Sequence, residues 1–366
     1  MKKILFLTPH VPSFRAGGAK FTYLLLKELS SYAQIDLIYF KYEDESEYCV
    51  PNENIKILRI MKNSTLVKIF HVLQHPFMHP IFSVRFDYLL LKYIKKIIRV
   101  NDYNLLYLDH SQMFIYGAYF PKIRKLLMAH DVMAQRYERH GNKLSKKLIL
   151  RDEQFLMKMP NSTVFTFSEK DNDIIMNKYK VRAYSTNFFL DEDIINATPN
   201  LIKRSIVLMG KWNRADNLDG LIWFLDNVYP LLAKDIKIAI YGKWMPENII
   251  KRIKDEVQIE YYGFVKNPYP SIANSLAMIS PLFSGAGVKV KVVEALACGT
   301  PVVGTQIAFE GISKDYALFM KQADDVENFA KLINDMNISI TERKQFKKKF
   351  LRNYHDQNIV NFINQL

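Results

Sequence analysis

Pro281–Gly311 reads PLFSGAGVKVKVVEALACGTPVVGTQIAFEG. A strand is expected to end at Pro281, followed by the small-residue turn Ser284-Gly285-Ala286-Gly287. A helix carrying Lys289, Lys291 and Glu294 comes next, and a Gly-Thr-Pro turn leads into another strand. Glycines ahead of a helix let backbone amides converge on an anion, and the helix N-terminus adds partial positive charge. Lys289 and Lys291 fall in or near the first turn, where the helix dipole disfavours cations. A local rule broken in this way points to a negative group docking there, most simply a phosphate or diphosphate.

The same alternation extends to both sides. Before the motif come strand Ser205–Met209, helix Asn217–Leu232, strand Ile236–Tyr241, helix Pro246–Glu256, strand Ile259–Tyr262, helix Tyr269–Asn274 and strand Met278–Pro281. In the first half, strands are expected at Ile4–Leu7, Ile35–Phe40, Ile55–Ile60, Leu105–Leu108, Lys125–Ala129 and Thr163–Phe167, with a helix over Phe21–Ser31. Short apolar strands separated by helices fit a parallel sheet covered on both faces. Asn187–Lys203 has no clear period, an acidic cluster and Pro199, and reads as a linker. The expected fold is α/β, with two doubly wound Rossmann-like domains facing across a cleft. They run over 1–190 and 203–340, and a basic helical tail, 341–366, packs back on the first. In such sheets ligands sit at the carboxyl ends of the strands.

The 366 residues carry a net charge of +14. That balance suits a polyanionic partner: nucleic acid, an acidic membrane or a phosphorylated ligand. No zinc-finger or RRM pattern is present, so nucleic acid is not expected. Cys49 and Cys298 are the only cysteines, which supports neither a disulfide framework nor a cysteine metal site. The start, MKKILFLTPHVPSFRAGG, has a brief apolar run interrupted by Pro9, His10, Pro12 and Arg15, and reads as a first strand rather than a signal peptide. No run reaches the ~18 apolar residues of a membrane-spanning helix. The expected location is cytoplasmic, with a peripheral contact on the inner face of the membrane. Lys92, Lys95, Lys96 and Arg99 of FDYLLLKYIKKIIRV would supply that contact; the plainer reading is a surface helix covering the first sheet, and both hold if only its cationic rim touches lipid.

Several segments together carry a family resemblance. GKWNRADNLDGLIWF (210–224), YYGFVKN (261–267), GAGVKVKVVEALACGTPVVGT (285–305) and FEGI (309–312) resemble retaining glycosyltransferases of family 4, which have the GT-B fold. FLTPHVPSFRAGGAKFTYLLLKEL (6–29) and TFSEKDNDII (166–175) are similar to segments of that family's first domain. The resemblance implies a nucleotide-sugar donor on the second domain, a glycan or lipid-linked acceptor on the first, and neither cofactor nor metal.

It also implies roles for single residues. Glu294 takes the place of the second glutamate of an E-x7-E pair and would accept from the donor's ribose hydroxyls. The first glutamate's place, eight residues earlier, holds Ala286. Backbone amides of Gly285, Ala286, Gly287 and Val288 would hold the diphosphate, with Lys289 and Lys291 neutralising the leaving group. Lys211 follows Gly210 where relatives carry an arginine; Asn217 stands where they often carry a lysine, and Arg214 is a rival source of charge. Gly263, Phe264 and Val265 of YYGFVKN would complete the donor site, and Gly17-Gly18 would let the first loop approach the diphosphate or the acceptor. His110 ends the strand LLYLD, where the family has a histidine beside the donor sugar; His130 is its rival.

Each has a plainer structural reading. Glu294 and Lys291 would pair at i,i+3, the lysines would be solvated, and Gly17-Gly18 would be an ordinary turn. His71, His75 and His79 repeat every four residues, but Pro76 and Pro80 disturb a shared helical face, and no metal is expected. His110, Lys211 and Lys291 are the expected catalytic residues. The expected function is sugar transfer to an acceptor hydroxyl with retention, in bacterial surface polysaccharide or glycolipid synthesis. The alternatives are a nucleotide-sugar epimerase of the same fold, or a non-catalytic donor-binding partner of another transferase.

Overall fold

The structure is a computed structural model that describes all residues except 15, 16, 141, 355 and 356. Arg15, named above, therefore lies outside the described residues. The chain divides into two compact units: Met1–Phe189 with Gln357–Leu366, and Leu190–Asp356.

In the first unit β1 (Lys2–Thr8), β2 (Ala33–Lys41), β3 (Ile55–Lys62), β4 (Leu105–Asp109), β5 (Lys125–Met128), β6 (Ser162–Thr166) and β7 (Ala183–Ser185) form one sheet. Its order is β3-β2-β1-β4-β5-β6-β7, and every pair is parallel. β4 is buried throughout, as a strand covered on both faces must be. Edge strand β3 instead exposes Lys56, Arg59 and Lys62, and charges of this kind discourage edge-to-edge pairing. The chain adds strands on one side of β1, then crosses to the other side at β4. That reversal opens a crevice at the carboxyl ends of β1 and β4.

The second unit repeats the scheme with β8 (Ser205–Met209), β9 (Lys237–Tyr241), β10 (Ile259–Gly263), β11 (Ala277–Ser280), β12 (Val302–Gly304) and β13 (Met320–Gln322). The order is β10-β9-β8-β11-β12-β13, all parallel. Its reversal lies between β8 and β11, so Gly210-Lys211 and the loop after Ser280 leave the sheet side by side.

Some elements differ from the sequence reading. β7 and β13 were not expected: each is three residues long and partly exposed, with no apolar run to mark it. The helix expected over Asn217–Leu232 spans Ala215–Trp223, widens into a π turn at Phe224–Val228 and ends as a 3-10 turn containing Pro230. Proline has no amide hydrogen to continue the ladder. The stretch read as a linker holds a short helix, Glu192–Asn196, capped by the Asp191 side chain. The tail is two helices: Ile340–Tyr354 belongs to the second unit and Asn358–Gln365 to the first. No helix among the described residues is long and apolar enough to cross a membrane.

Candidate functional site

In the second unit the cations gather at the reversal between β8 and β11. The helix Val290–Ala297 begins after Lys289, and Lys291 reaches back across the strand ends. Its ammonium donates to Met209 O at 3.1 Å and to Asn217 Oδ1 at 3.0 Å. Asn217 Nδ2 in turn donates to Lys211 O at 3.2 Å. Asn217, in the place of the family's lysine, thus ties the Gly210-Lys211 turn to Lys291. Burial pushes the Lys291 ammonium down to about 8, Asp216 resisting and the nearby charges of Arg214 and Lys289 adding to the fall. A lysine at that value is still mostly charged at neutral pH, but poorly hydrated, so an incoming anion would compensate it well.

The glycine turn is held in a left-handed backbone conformation. Gly285 and Gly287 have φ of 119° and 68°, conformations that L side chains rarely adopt. Lys289 curls over the turn and donates to Ala286 O at 3.1 Å and Gly287 O at 2.6 Å, bracing it. Helix Ala215–Trp223 is pressed against the same segment: a Cβ on Gly220 would stand 1.9 Å from Pro281 O. Arg214 is held outside by Asp216, with contacts of 3.0 and 2.6 Å. Lys211 lies over the Trp244 ring at 5.6 Å.

Glu294 is buried, and its Oε1 accepts from Tyr269 OH at 3.0 Å. Burial, and then the Glu294 charge, push the Tyr269 hydroxyl far up, so it remains a donor. The i,i+3 pair with Lys291 does not form, since the Lys291 ammonium turns to Met209 and Asn217. Gly263 ends β10, two strands away from β8, Phe264 and Val265 follow it, and Phe264 is exposed under Lys243 at 4.3 Å. They share the sheet's carboxyl edge with the lysines.

The first unit has its own cluster at the reversal between β1 and β4. Asp109, the last residue of β4, is fully buried. Its Oδ2 accepts from Thr8 Oγ1 at 2.9 Å and Thr22 Oγ1 at 2.7 Å, and its Oδ1 lies 2.8 Å from His130 Nε2. Burial alone would raise the Asp109 pKa. The imidazoles of His110 and His130, with the bonds from His130 and Thr22, outweigh it and hold the carboxyl well below its usual range. With Asp109 ionised, His130 Nε2 carries the bonding proton.

His110 stacks on His130 with ring centroids 3.4 Å apart and 14° between planes. Its backbone sits at φ 61°, a costly conformation for a non-glycine residue, held by its amide donating to Met128 O at 3.0 Å. Burial and then the His130 ring push His110 well below the ordinary imidazole value, Asp109 opposing and His10 adding to the fall. It is therefore neutral at physiological pH, with a lone pair to offer. Gly17 and Gly18 open the helix Gly17–Leu29, and a Cβ on Gly18 would lie 3.0 Å from His110 Cε1 and 3.2 Å from His130 Nδ1.

The structure thus brings Gly18, His110 and His130 together, and joins Lys291 to Lys211 through Asn217, while Arg214 pairs with Asp216. The sequence reading missed Asp109, although its place at a strand end beside His110 was a usable signal. It also missed Tyr269, for which no local signal exists. Among the described residues Asp109, His110 and His130 offer metal-ligating atoms within 4.8 Å of one another. The carboxylate oxygens already accept from Thr8, Thr22 and His130, while His110 Nε2 is buried with no hydrogen-bond partner among the described residues. His71 turns to Val84 O and Asp87, and His79 caps the helix Pro80–Ser83, so the histidine repeat serves local structure.

Residues 203–337 match the family described as Glycosyl transferases group 1. An uncharacterized 44.6 kDa protein in the cps region of Klebsiella pneumoniae is 30% identical over 153 residues, which is 38% of this chain and 39% of that protein. The match therefore spans about two fifths of the curated relative's length. Among solved structures, sucrose-phosphate synthase from Thermosynechococcus elongatus is similar with a TM-score of 0.71 and 12% identity, covering 100% of this chain and 98% of its own. HepE from Anabaena, in complex with UDP and glucose, has a TM-score of 0.68 and 14% identity over 100% of both chains. WaaG, a glycosyltransferase involved in lipopolysaccharide biosynthesis, has a TM-score of 0.67 and 11% identity, covering 98% of this chain and 96% of its own. At such identities the likeness is one of fold: two doubly wound parallel sheets, as in GT-B glycosyltransferases.

Proposed function

We propose that this protein is a glycosyltransferase that moves a sugar from a nucleoside diphosphate to an acceptor hydroxyl. The observation that carries the reading is Lys291, an ammonium pushed down to about 8 by burial at the strand-order reversal, beside a glycine turn and a helix N-terminus. Breaking the glycosidic bond leaves negative charge on the diphosphate, and a fixed cation at that point stabilises the transition state more than the ground state. The match of residues 203–337 to a glycosyltransferase family supports the same assignment.

In this reading the amides of Gly285–Val288 and the ammonium groups of Lys289, Lys291 and Lys211 receive the diphosphate. Glu294, oriented by Tyr269, accepts from the ribose, and Gly263-Phe264-Val265 faces the base. His110, neutral and held by the His130–Asp109 pair, hydrogen-bonds a hydroxyl of the transferred sugar. Lysines take the part a metal plays elsewhere, the anomeric configuration is retained, and the acceptor is a surface glycan or its lipid-linked precursor. The genomic setting named for the Klebsiella relative and the biosynthetic role named for WaaG agree with such an acceptor.

Ala286, standing where the family has a glutamate, favours a second reading in which donor is bound but not consumed. Thermal-shift and nucleotide-release assays on a panel of nucleotide sugars, with and without glycan acceptors, separate the two. Stabilisation by one donor with acceptor-dependent release supports transfer. Stabilisation without release supports the binding partner, and acceptor-independent conversion of the sugar supports an epimerase. No response to any nucleotide sugar sinks the proposal.

A further inference from the structure

The helix Thr65–Leu73 is built inside out. Its one buried residue is His71, whose Nδ1 lies 3.2 Å from Val84 O and whose Nε2 lies 3.4 Å from Asp87 Oδ2. Leu66, Ile69, Phe70 and Leu73, spaced i, i+3, i+4 and i+7, share the opposite face and are 55–79% exposed. Phe77, just beyond the helix, is 87% exposed and extends the patch. The face is ordered: Ser64 caps the helix through Val67 N, and Gln74 Oε1 accepts from Tyr88 N at 2.8 Å. A soluble surface rarely leaves so many large apolar side chains on one helix face without a use for them.

The charge around this face identifies what covers it. Between Glu53 and Asp87 the chain has no acidic residue; of its cations there, Lys56, Arg59 and Lys62 are exposed, Lys68 is half-buried beside Tyr42, and Arg85 is buried against Asn63. Lys62 is exposed just before the helix, and Lys92 lies over the Tyr88 ring at 4.9 Å, next to the helix end. Arg151, which also pairs with the buried Asp152, donates to the carbonyl of Phe77. An apolar face rimmed by cations matches the boundary of a bilayer where acyl chains meet anionic headgroups. A second copy of this chain would bring like charges together, which disfavours self-association through this face.

We infer that Thr65–Phe77 is a membrane-docking surface that lays Leu66, Ile69, Phe70, Leu73 and Phe77 into an anionic lipid leaflet. The helix expected from sequence to do this, Tyr88–Val100, buries Leu90, Leu91, Ile94 and Ile97 against its own sheet. Lys92 and the exposed Tyr88 and Leu89 at its start border the Thr65–Phe77 face. The inference is independent of the proposed reaction.

Co-sedimentation of the full chain with phosphatidylcholine vesicles, with and without phosphatidylglycerol, tests it. Binding is expected to the anionic vesicles and to weaken as salt is added. The double variant Ile69→Gln/Phe70→Gln should bind about ten-fold more weakly or worse, while Val257→Gln, an exposed position of the second unit, should bind normally. Should the double variant melt early, Lys62→Gln/Lys92→Gln, which leaves the apolar face intact, should still lose affinity for anionic vesicles. Absence of binding to anionic vesicles at low salt overturns the inference. So does normal binding by the folded variants, or a dimer in sedimentation velocity that Ile69→Gln/Phe70→Gln dissolves.

Discussion

Lys291 and Asp109 are placed alike, each at a strand-order reversal, and their chemistry is opposite. Lys291 is a cation kept short of water, pushed down to about 8 from an ordinary 10.5. If transfer needs its charge, kcat/KM of the free enzyme should fall as pH rises past about 8. Lys291→Arg, which cannot lose its proton in that range, should move the alkaline limb upward. Asp109 is an anion held by three donors, with its folded pKa well below the carboxylate value of about 4. Its stabilisation is present above the unfolded value and is lost as pH falls toward the folded one. Asp109→Asn should cost about 3 kcal/mol at neutral pH, because buried donors lose their acceptor. In thermal melts the deficit should shrink below about pH 4. Lys291 was legible in the sequence because it breaks the helix-dipole rule. Asp109 was less so: its place at a strand end beside His110 was a signal, but a carboxylate there looks the same whether it faces water or two histidines.

At the scale of elements, strands with apolar runs were legible and those without were not. β4, LLYLD, declares itself; β13, MKQ, is a strand only because β12 offers it an edge. Helix Ala215–Trp223 was foreseen, but its approach to the glycine turn was not, since that depends on Gly220 meeting a carbonyl 61 residues later. With a Cβ 1.9 Å from Pro281 O, Gly220→Ala must push the helix off the strand end. A loss of about 3 kcal/mol or more is expected, read as a lowered Tm. Because Asn217 rides on this helix, nucleotide affinity should fall too. A normal Tm with normal nucleotide binding would show that the contact is not tight.

For the whole molecule, alternating strands and helices disclosed two sheets and a tail returning to the first, but its division into Ile340–Tyr354 and Asn358–Gln365, only the latter in the first unit, needed the structure. Asn358–Gln365 joins the first unit, burying Ile359, Val360 and Ile363. Asn358 donates to Ser185 O at 3.0 Å and Lys2 to Ile363 O at 3.0 Å. A chain ending at Tyr354 should lose about 5 kcal/mol from the first unit, by the area those three side chains cover. Far-UV melts of the truncated protein check this, and an unchanged melting profile would contradict it.

The central claim, that Lys291 stabilises a leaving nucleoside diphosphate during sugar transfer, is tested most directly by nucleotide release from the accepted donor. The rate is measured with acceptor present, for the wild-type chain and for Lys291→Gln. Acceptor-dependent release that drops about 100-fold in the variant, while the protein stays folded, is the expected result. Release at equal rates in both proteins, or no release from any nucleotide sugar, would contradict it.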